Sequence, residues 1–249
     1  MIILKSLQEI EKIRKACLIV ADVLEEMKLL VRPGVSTLAL DDVAEKFIRA
    51  AGAVPAFKGY RGYPKTLCTS VNTEIIHGIP TKDVVLKSGD IVSIDVGAIV
   101  DGFYGDAAIT VPVGKIDPEA ERLIRVTEES LYRGIAQATV HNRLYDISYA
   151  VQGYVETNGY SVVREFVGHG IGRSLHEDPQ VPNFGAPGQG PRLKSGMVLA
   201  IEPMVNVGGS ATVVQEDNWT AVTADGSLSA HFEHTIAVMP DGPWILTKK

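Results

Sequence analysis

The sequence predicts an α+β protein whose sheet is largely antiparallel and covered by helices. Segments with helical periodicity and segments rich in β-branched residues come in mixed blocks, without the strict alternation of a βαβ fold. The chain also contains an internal repeat, because Leu86–Asp95 aligns with Leu193–Glu202 at a constant offset of 107 residues. Each copy begins with Leu-Lys-Ser-Gly, follows a predicted pair of helices and ends in an acid. We therefore predict a pseudo-two-fold duplicated fold with its site on the symmetry axis.

Four helices are predicted from caps and periodicity. Ser6–Glu9 has the form of a capping box, and Pro33-Gly34 stops the helix that follows it. Ser36 or Thr37 can cap the second helix, whose end is marked by Gly52. The third runs from Asp117-Pro118, as cap and first helical position, toward Gln137, and the fourth runs from about Leu144 to Thr157.

Five β-rich runs complete the predicted elements, over residues 91–100, 103–113, 198–207, 211–215 and 232–238. Asp101-Gly102 between the first two is a strong signal for a two-residue hairpin. With a regular turn, Asp95 lies opposite Ala108 and Asp106 lies opposite Gly97. Both aspartates then share a face of the sheet, with Cα atoms within roughly 7 to 8 Å.

The composition favours a single domain, residues 1–249, with an ordinary hydrophobic core. Apolar residues make up 45% of the chain and charged residues 22%. The net charge of −6 argues against nucleic-acid binding. Cys17 and Cys68 form no CxxC pair, so a disulfide framework or cysteine-ligated zinc module is excluded and the cytoplasm is the expected location. Charges interrupt Met1–Met27, which fits neither a signal peptide nor a membrane span.

Several acids and histidines fall in apolar strands or in turns, where an unpaired charge is costly. The candidate metal ligands are the carboxylates of Asp95, Asp106, Glu202 and Glu233, together with one or both imidazoles of His169 and His176. A set rich in oxygen with a minority of nitrogen suits a pair of Mn²⁺, Fe²⁺ or Co²⁺ ions, or Zn²⁺, roughly 3.5 to 4 Å apart. The blander alternatives are a chance Leu-Lys-Ser-Gly turn and two solvated aspartates on an exposed strand.

At these residues the chain resembles the methionine aminopeptidases, which have the pita-bread (creatinase/aminopeptidase) fold. The resemblance extends from near residue 2 to near residue 247 and is closest to the short, bacterial-type form. The motifs that carry it are His77-Gly78-Ile79-Pro80, Asp95 with Asp101–Asp106, Gly168–Gly172 with His176-Glu177, Ile201-Glu202-Pro203 and Phe232–Thr235.

The resemblance implies two divalent metal ions, Co²⁺, Mn²⁺, Fe²⁺ or Zn²⁺, and a role for each matching residue. Asp95 would chelate one metal, and Asp106 and Glu233 would bridge both. His169 and Glu202 would complete the other metal's ligands, with Glu202 also a candidate general base. Two histidines complete the implied catalytic set: His77 would contact the scissile nitrogen, and His176 would stabilise the oxyanion.

The resemblance also implies an apolar pocket for a methionine side chain. The matching positions are Tyr60, Tyr63, Cys68, Leu175 and Trp219, and aromatic edges pack well against a thioether. Two positions depart from the family pattern. Leu175 stands where an aromatic residue is common, and Arg61 stands where histidine is frequent. The alternative for the aromatic residues is a place in the ordinary core.

The implied activity is removal of the initiator methionine from nascent polypeptides, with small second residues such as Gly, Ala or Ser preferred. We expect a monomer that binds neither nucleic acid nor membrane, with the ribosome as a candidate partner. One alternative is a scaffold of the same fold that binds protein or RNA, which is disfavoured because all five ligands are present. A prolidase-like dipeptidase is a second alternative. A serine hydrolase is disfavoured because the Gly-x-Ser-x-Gly motif is absent.

Overall fold

The computed structural model describes all 249 residues, with four α-helices and fifteen strands. The helices are α1 (Leu7–Leu30), α2 (Thr37–Ala50), α3 (Pro118–Ala136) and α4 (Leu144–Thr157), with a short 3₁₀ turn at Tyr60–Gly62. The strands are β1 (Val54–Pro55), β2 (Leu67–Val71), β3 (Glu74–Ile76), β4 (Ile91–Val100), β5 (Phe103–Pro112), β6 (Ser161–Val162), β7 (Gly168–Gly170), β8 (Glu177–Val181), β9 (Val198–Ile201), β10 (Met204–Asn206), β11 (Thr212–Val214), β12 (Ala221–Thr223), β13 (Ser229–His231), β14 (Glu233–Met239) and β15 (Gly242–Ile245).

The main sheet has nine strands and joins the two halves of the chain. Its order is β1-β4-β5-β14-β9-β7-β8, with β2 beside β4 and β15 beside β14, and all its pairs are antiparallel. The duplication is visible around the central β5–β14 pair, because β4 and β9 flank it and each follows a helix pair. Two smaller sheets, β13-β10-β6 and β11-β12-β3, complete the fold. The predicted α+β, pseudo-two-fold architecture is confirmed.

Each pair of helices packs its apolar face against its own half of the sheet. In the first half, Val20 and Met27 of α1 and Leu40 of α2 are fully buried in one cluster with Ile94 of β4. In the second half, Leu131, Ile135, Leu144 and Ile147 of α3 and α4 cluster with Leu199 and Ile236 of β9 and β14. Each such side chain stabilises the fold by about 1.5 to 3 kcal/mol through burial, so the sheet is a rigid platform.

The predicted helix starts are confirmed, with one difference in capping. Ser6 and Glu9 form the capping box of α1, and the Ser36 hydroxyl accepts a hydrogen bond from the Ala39 N–H at the start of α2. Asp117 does precede Pro118 at the start of α3, but its side chain makes no capping hydrogen bond. No helix combines the length and apolar character that crossing a membrane requires.

The prediction of one continuous strand over residues 198–207 is wrong. It is split into β9 and β10, which belong to different sheets, with Glu202-Pro203 between them. Proline has no N–H to donate to a strand ladder, which favours a break at this point. Asp95 therefore lies inside its strand, whereas Glu202 lies just past the end of β9, so the two halves are not equivalent here. Smaller differences are that β5 ends at Pro112, β11 spans only Thr212–Val214, and β14 begins after Phe232.

Candidate active site

The β4–β5 hairpin brings the two aspartates together as the sequence predicts. Asp101 and Gly102 both have positive φ, 51° and 76°, as a two-residue turn of this hand requires. The resulting register pairs Asp95 with Ala108 and Gly97 with Asp106. The predicted register is therefore confirmed, and both carboxylates lie on one face of the sheet.

A row of paired residues extends this face across four strands. Cys68 of β2 pairs with Asp95 of β4, Asp95 pairs with Ala108 of β5, and Ala108 pairs with Glu233 of β14. Directly opposed residues share a face, and so does Asp106, two residues from Ala108. The small side chain of Ala108 leaves the space between Asp95 and Glu233 open.

The second half of the chain contributes Glu202 and His169 to the same face. His169 of β7 pairs with Ala200 of β9, which also pairs with Thr235, two residues from Glu233. Glu202 follows two residues after Ala200, and its Oε1 lies 3.5 Å from Nε2 of His169. Two acids from each half of the duplicated fold, together with one histidine, thus meet at the centre of the sheet.

The arrangement fits a divalent metal site. Asp106, His169 and Glu233 can each offer a ligand atom, and these atoms lie within 4.8 Å of one another. Oδ1 of Asp95, Oδ1 of Asp106 and Oε1 of Glu233 are buried without a hydrogen-bond partner. No lysine or arginine forms an ion pair with any of the four acids, and the only ion-pair contacts of Glu202 are with the imidazoles of His169 and His231. Unpaired buried carboxylates are costly, so the site calls for cations.

Burial raises the pKa of every one of these carboxyl groups. The pKa of Asp95 rises to about 7, chiefly through burial, and that of Glu202 rises to about 8 for the same reason. Burial and the neighbouring acids raise the pKa values of Asp106 and Glu233 well above their usual range. Without a cation the cluster therefore holds protons near neutral pH, and bound cations would displace them.

His169 presents a nitrogen lone pair to the cluster. Its Nδ1 lies 2.9 Å from the carbonyl oxygen of Gly170, which can only accept, so Nδ1 carries the proton. Its Nε2 is then unprotonated and faces Glu202. Burial lowers the pKa of His169 to about 3, which keeps the ring neutral. A neutral imidazole whose other nitrogen donates to a carbonyl is the usual form of a histidine metal ligand.

All twelve predicted site residues line one cavity of about 380 Å³ beside this cluster. Its lining includes all five residues predicted for the methionine pocket, which are Tyr60, Tyr63, Cys68, Leu175 and Trp219. The Tyr63 and Trp219 rings meet edge to face, with centroids 5.0 Å apart. The cavity thus combines acids on its floor with an apolar side wall, a combination that suits binding and cleavage of a small apolar group.

The two predicted catalytic histidines also face this cavity. His77 has a positive φ of 61°, which is strained for a residue other than glycine, and its ring lies between those of Phe166 and Trp219. The His176 ring is 4.3 Å from that of His169, and its Nδ1 lies 2.8 Å from the Tyr60 hydroxyl. Burial lowers the pKa of His77 to about 4, and partial burial together with Arg61 also lowers the pKa of His176; both shifts favour the neutral ring.

The loop that carries His176 is anchored to the start of the chain. Glu177 accepts hydrogen bonds from the N–H groups of Arg173 and Ser174, and its Oε2 lies 2.5 Å from Nζ of Lys5. The side chains of this ion pair are only 5% and 10% exposed. The Lys5 N–H also donates to the carbonyl oxygen of Gly196. The segment before α1 therefore fixes the position of this loop.

Sequence analysis missed several residues around the cavity. Phe57, Ile76, Phe166 and Val167 complete the apolar wall, and Glu165 and Gln180 lie among the lining residues. It also missed His231, which is 1% exposed and lies beside Glu202. The one sequence signal for His231 is its place two residues before Glu233.

Comparisons with known proteins show the family to which the chain belongs. The model of metallopeptidase family M24 matches residues 11–240. A methionine aminopeptidase of Clostridium perfringens is 59% identical over 247 residues, which cover 99% of each chain. The crystal structure of a methionine aminopeptidase from Thermotoga maritima superposes with a TM-score of 0.99 at 49% identity, covering 100% of both chains. A prolidase from Pyrococcus horikoshii shares the fold, with a TM-score of 0.81 at 23% identity, and this chain covers 64% of it.

The chain therefore belongs to metallopeptidase family M24, a family of metal-dependent hydrolases. Within it, the chain belongs to the methionine aminopeptidases, on identity across essentially its whole length. The prolidase comparison, by contrast, shows the fold alone.

Proposed function

We propose that this protein removes the initiator methionine from nascent polypeptides in the cytoplasm, using two divalent cations. The observation that carries the proposal is the cluster of buried, unpartnered carboxylate oxygens beside the neutral imidazole of His169, at the floor of an apolar cavity. Membership of the methionine aminopeptidases supports the same activity.

Five residues would hold the cations in this proposal. Asp95, Asp106, Glu202 and Glu233 would each supply a carboxylate oxygen, and His169 would supply its Nε2. Bound Co²⁺, Mn²⁺, Fe²⁺ or Zn²⁺ would lower the pKa of the attacking water and polarise the scissile carbonyl. The proposal of two cations is supported by the placement of two acids from each half of the fold on one face of the sheet.

The remaining steps belong to side chains of the cavity. Glu202 would accept the proton of the attacking water and pass it to the leaving amine. His176 would donate a hydrogen bond to the oxyanion of the tetrahedral intermediate. His77 would contact the scissile nitrogen. The lowered pKa values of both histidines favour the neutral imidazole, which retains one N–H to donate.

The methionine side chain would lie against Tyr60, Tyr63, Cys68, Leu175 and Trp219. A flexible thioether gains contact with ring edges such as those of Tyr63 and Trp219, which already meet edge to face. Leu175 is 2% exposed and occupies less of the pocket than an aromatic residue would. This leaves room for an unbranched side chain of methionine's length.

The test is release of free methionine from a Met-Ala-Ser peptide by chelator-treated protein, before and after addition of Co²⁺ or Mn²⁺. The Asp106→Asn variant should bind the cations weakly and release little methionine. Asp42→Asn is the matched control, because Asp42 is exposed on α2. Absence of release by the folded parent with every divalent cation tried would refute the proposal. Cleavage of Xaa-Pro dipeptides instead of Met-Ala-Ser would favour the prolidase-like alternative.

A further inference from the structure

The cluster contains one more histidine than the proposed ligand set uses. His231 ends β13, and its side chain is almost completely buried, at 1% exposed. Its Nε2 has no hydrogen-bond partner. It makes one ion-pair contact, with Oε2 of Glu202 at 3.7 Å. Leaving a buried imidazole nitrogen without a hydrogen-bond partner destabilises the folded state, so an arrangement that gives it a partner is favoured.

The backbone of His231 is held firmly in place. The hydroxyl of Thr110 on β5 donates to the carbonyl oxygen of His231 at 2.8 Å and accepts from its N–H at 2.9 Å. Since the one hydroxyl hydrogen of Thr110 is used in this way, the Ser93 hydroxyl, 2.9 Å away, must donate to Thr110. The imidazole is thus attached to β5, the strand that carries Asp106.

Glu202 consequently has an imidazole on each of its two oxygens. Oε1 faces Nε2 of His169 at 3.5 Å, and Oε2 faces Nε2 of His231 at 3.7 Å. The two imidazoles are not equivalent, because Nδ1 of His169 is committed to the carbonyl of Gly170 and its Nε2 offers a lone pair. If Oε1 of Glu202 binds the same cation as His169, its Oε2 can still accept a hydrogen bond.

We propose that His231 is a positioning residue, whose Nε2–H donates to Oε2 of Glu202 and holds that carboxylate in the orientation that binds the cation. The inference rests on the proposed function, because it concerns the same metal pair. No other side chain donates a hydrogen bond to the Glu202 carboxylate, so the N–H of His231 would fix the rotation of that carboxylate. One lone pair of Oε2 stays free, so Glu202 can still accept a proton from water.

The first experiment measures Mn²⁺ affinity by calorimetry on chelator-treated protein. His231→Leu, which fills the space without a donor, should lower the affinity by about 10- to 100-fold, the usual effect of losing such a partner. His231→Gln, which retains an N–H donor, should restore affinity to near the parent value. His234→Gln is the matched control, because His234 is another histidine close to Glu233 in the sequence, but it is only partly buried and its ring is bonded to Tyr132 and Thr247.

The second experiment needs no variant and uses ¹⁵N–¹H correlation spectra of the histidine rings in the parent. We expect His231 to carry its proton on Nε2 in the metal-free protein and to keep it when Zn²⁺ is added, while Nε2 of His169 shifts as a metal ligand. A proton on Nδ1 of His231, or loss of its Nε2–H on adding Zn²⁺, would overturn the proposal. Parent-like Mn²⁺ affinity in a folded His231→Leu variant would do the same.

The two proposals fail in different ways. If the parent binds no divalent cation, the proposed function fails, while the tautomer of His231 in the metal-free protein still tests the hydrogen bond. If the parent binds Mn²⁺ and releases methionine but His231→Leu behaves like the parent, only the role of His231 is lost.

Discussion

The hydroxyl of Tyr60 lies 2.8 Å from Nδ1 of His176, on the side of the imidazole opposite its Nε2. We expect the phenol to donate, which leaves Nδ1 as acceptor and places the single imidazole proton on Nε2. Tyr60 was predicted to line the methionine pocket, and the hydrogen bond gives it a second task. It selects the tautomer in which His176 can donate from Nε2 to a developing oxyanion.

Tyr60→Phe should therefore lower kcat by about 10-fold or more with little change in KM, because the ring stays in the pocket while the hydroxyl is lost. Steady-state kinetics on a Met-Ala-Ser peptide measures this. Tyr132→Phe is the control, because Tyr132 makes a comparable contact, 3.2 Å, with Nε2 of His234 outside the cavity. A rise in KM at constant kcat would instead show that Tyr60 only binds substrate.

Stability of the metal-free protein should fall as the pH rises through neutrality. The pKa of Asp95 is raised from 3.8 to about 7 and that of Glu202 from 4.5 to about 8 by burial. Because the folded state holds these protons more tightly than the unfolded state, their stabilising effect is complete below about pH 4. It is lost as the pH rises through 7 and 8, by at most about 1.4 kcal/mol per pH unit for each group.

Denaturation of chelator-treated protein between about pH 5 and pH 8.5 measures this loss of stability. Added Mn²⁺ should remove most of the decline, because the cations replace the protons as partners of the carboxylates. Parallel pH profiles with and without Mn²⁺ would show that these acids do not control stability.

Gly170→Ala should disturb His169 through the backbone. A Cβ at position 170 would lie 2.1 Å from the carbonyl oxygen of Asp178, so β7 and β8 would have to separate. We expect a loss of about 1 to 3 kcal/mol in the free energy of unfolding, together with weaker Mn²⁺ binding. Gly153→Ala in α4 is the matched control, because nothing lies within 4 Å of its Cβ. That variant should gain up to about 1 kcal/mol from helix propensity.

Peptides with a small second residue should be cleaved faster than those with a large one. The scissile bond must approach acids that are buried below the rim formed by His77, His176 and Trp219, which leaves little room for the next side chain. We expect kcat/KM for Met-Ala-Ser to exceed that for Met-Leu-Ser by about 10-fold or more. Equal values for the two peptides would disprove this preference.

The parts of the site that could be predicted from sequence depend on local rules. Asp101-Gly102 fixes one turn, and the turn fixes the register that places Asp95 and Asp106 on one face. The internal repeat predicted that Glu202 belongs to the site. It did not predict the strand break at Pro203, because the two copies match only as far as Glu202. The family motifs supplied His77 and His176, which no periodicity could have placed in one cavity.

The parts of the site that were not predicted depend on contacts between segments that are far apart in the sequence. His231 belongs to a three-residue strand that is too short to show alternation, and its position follows from Thr110, 121 residues earlier in the chain. Phe166 reaches the cavity from the segment before β7, where no pattern distinguishes a cavity wall from ordinary core. Short strands such as β3 and β13 form because β12 and β10, in the two smaller sheets, offer them partners.

The ion pair between Lys5 and Glu177 joins positions 172 residues apart. During synthesis, Lys5 leaves the ribosome long before Glu177, so the ion pair cannot form until residue 177 has been made. Glu233 follows later still, and the cluster of acids around Asp106 is incomplete before then. The proposed metal site therefore cannot be completed until residue 233 has been synthesised.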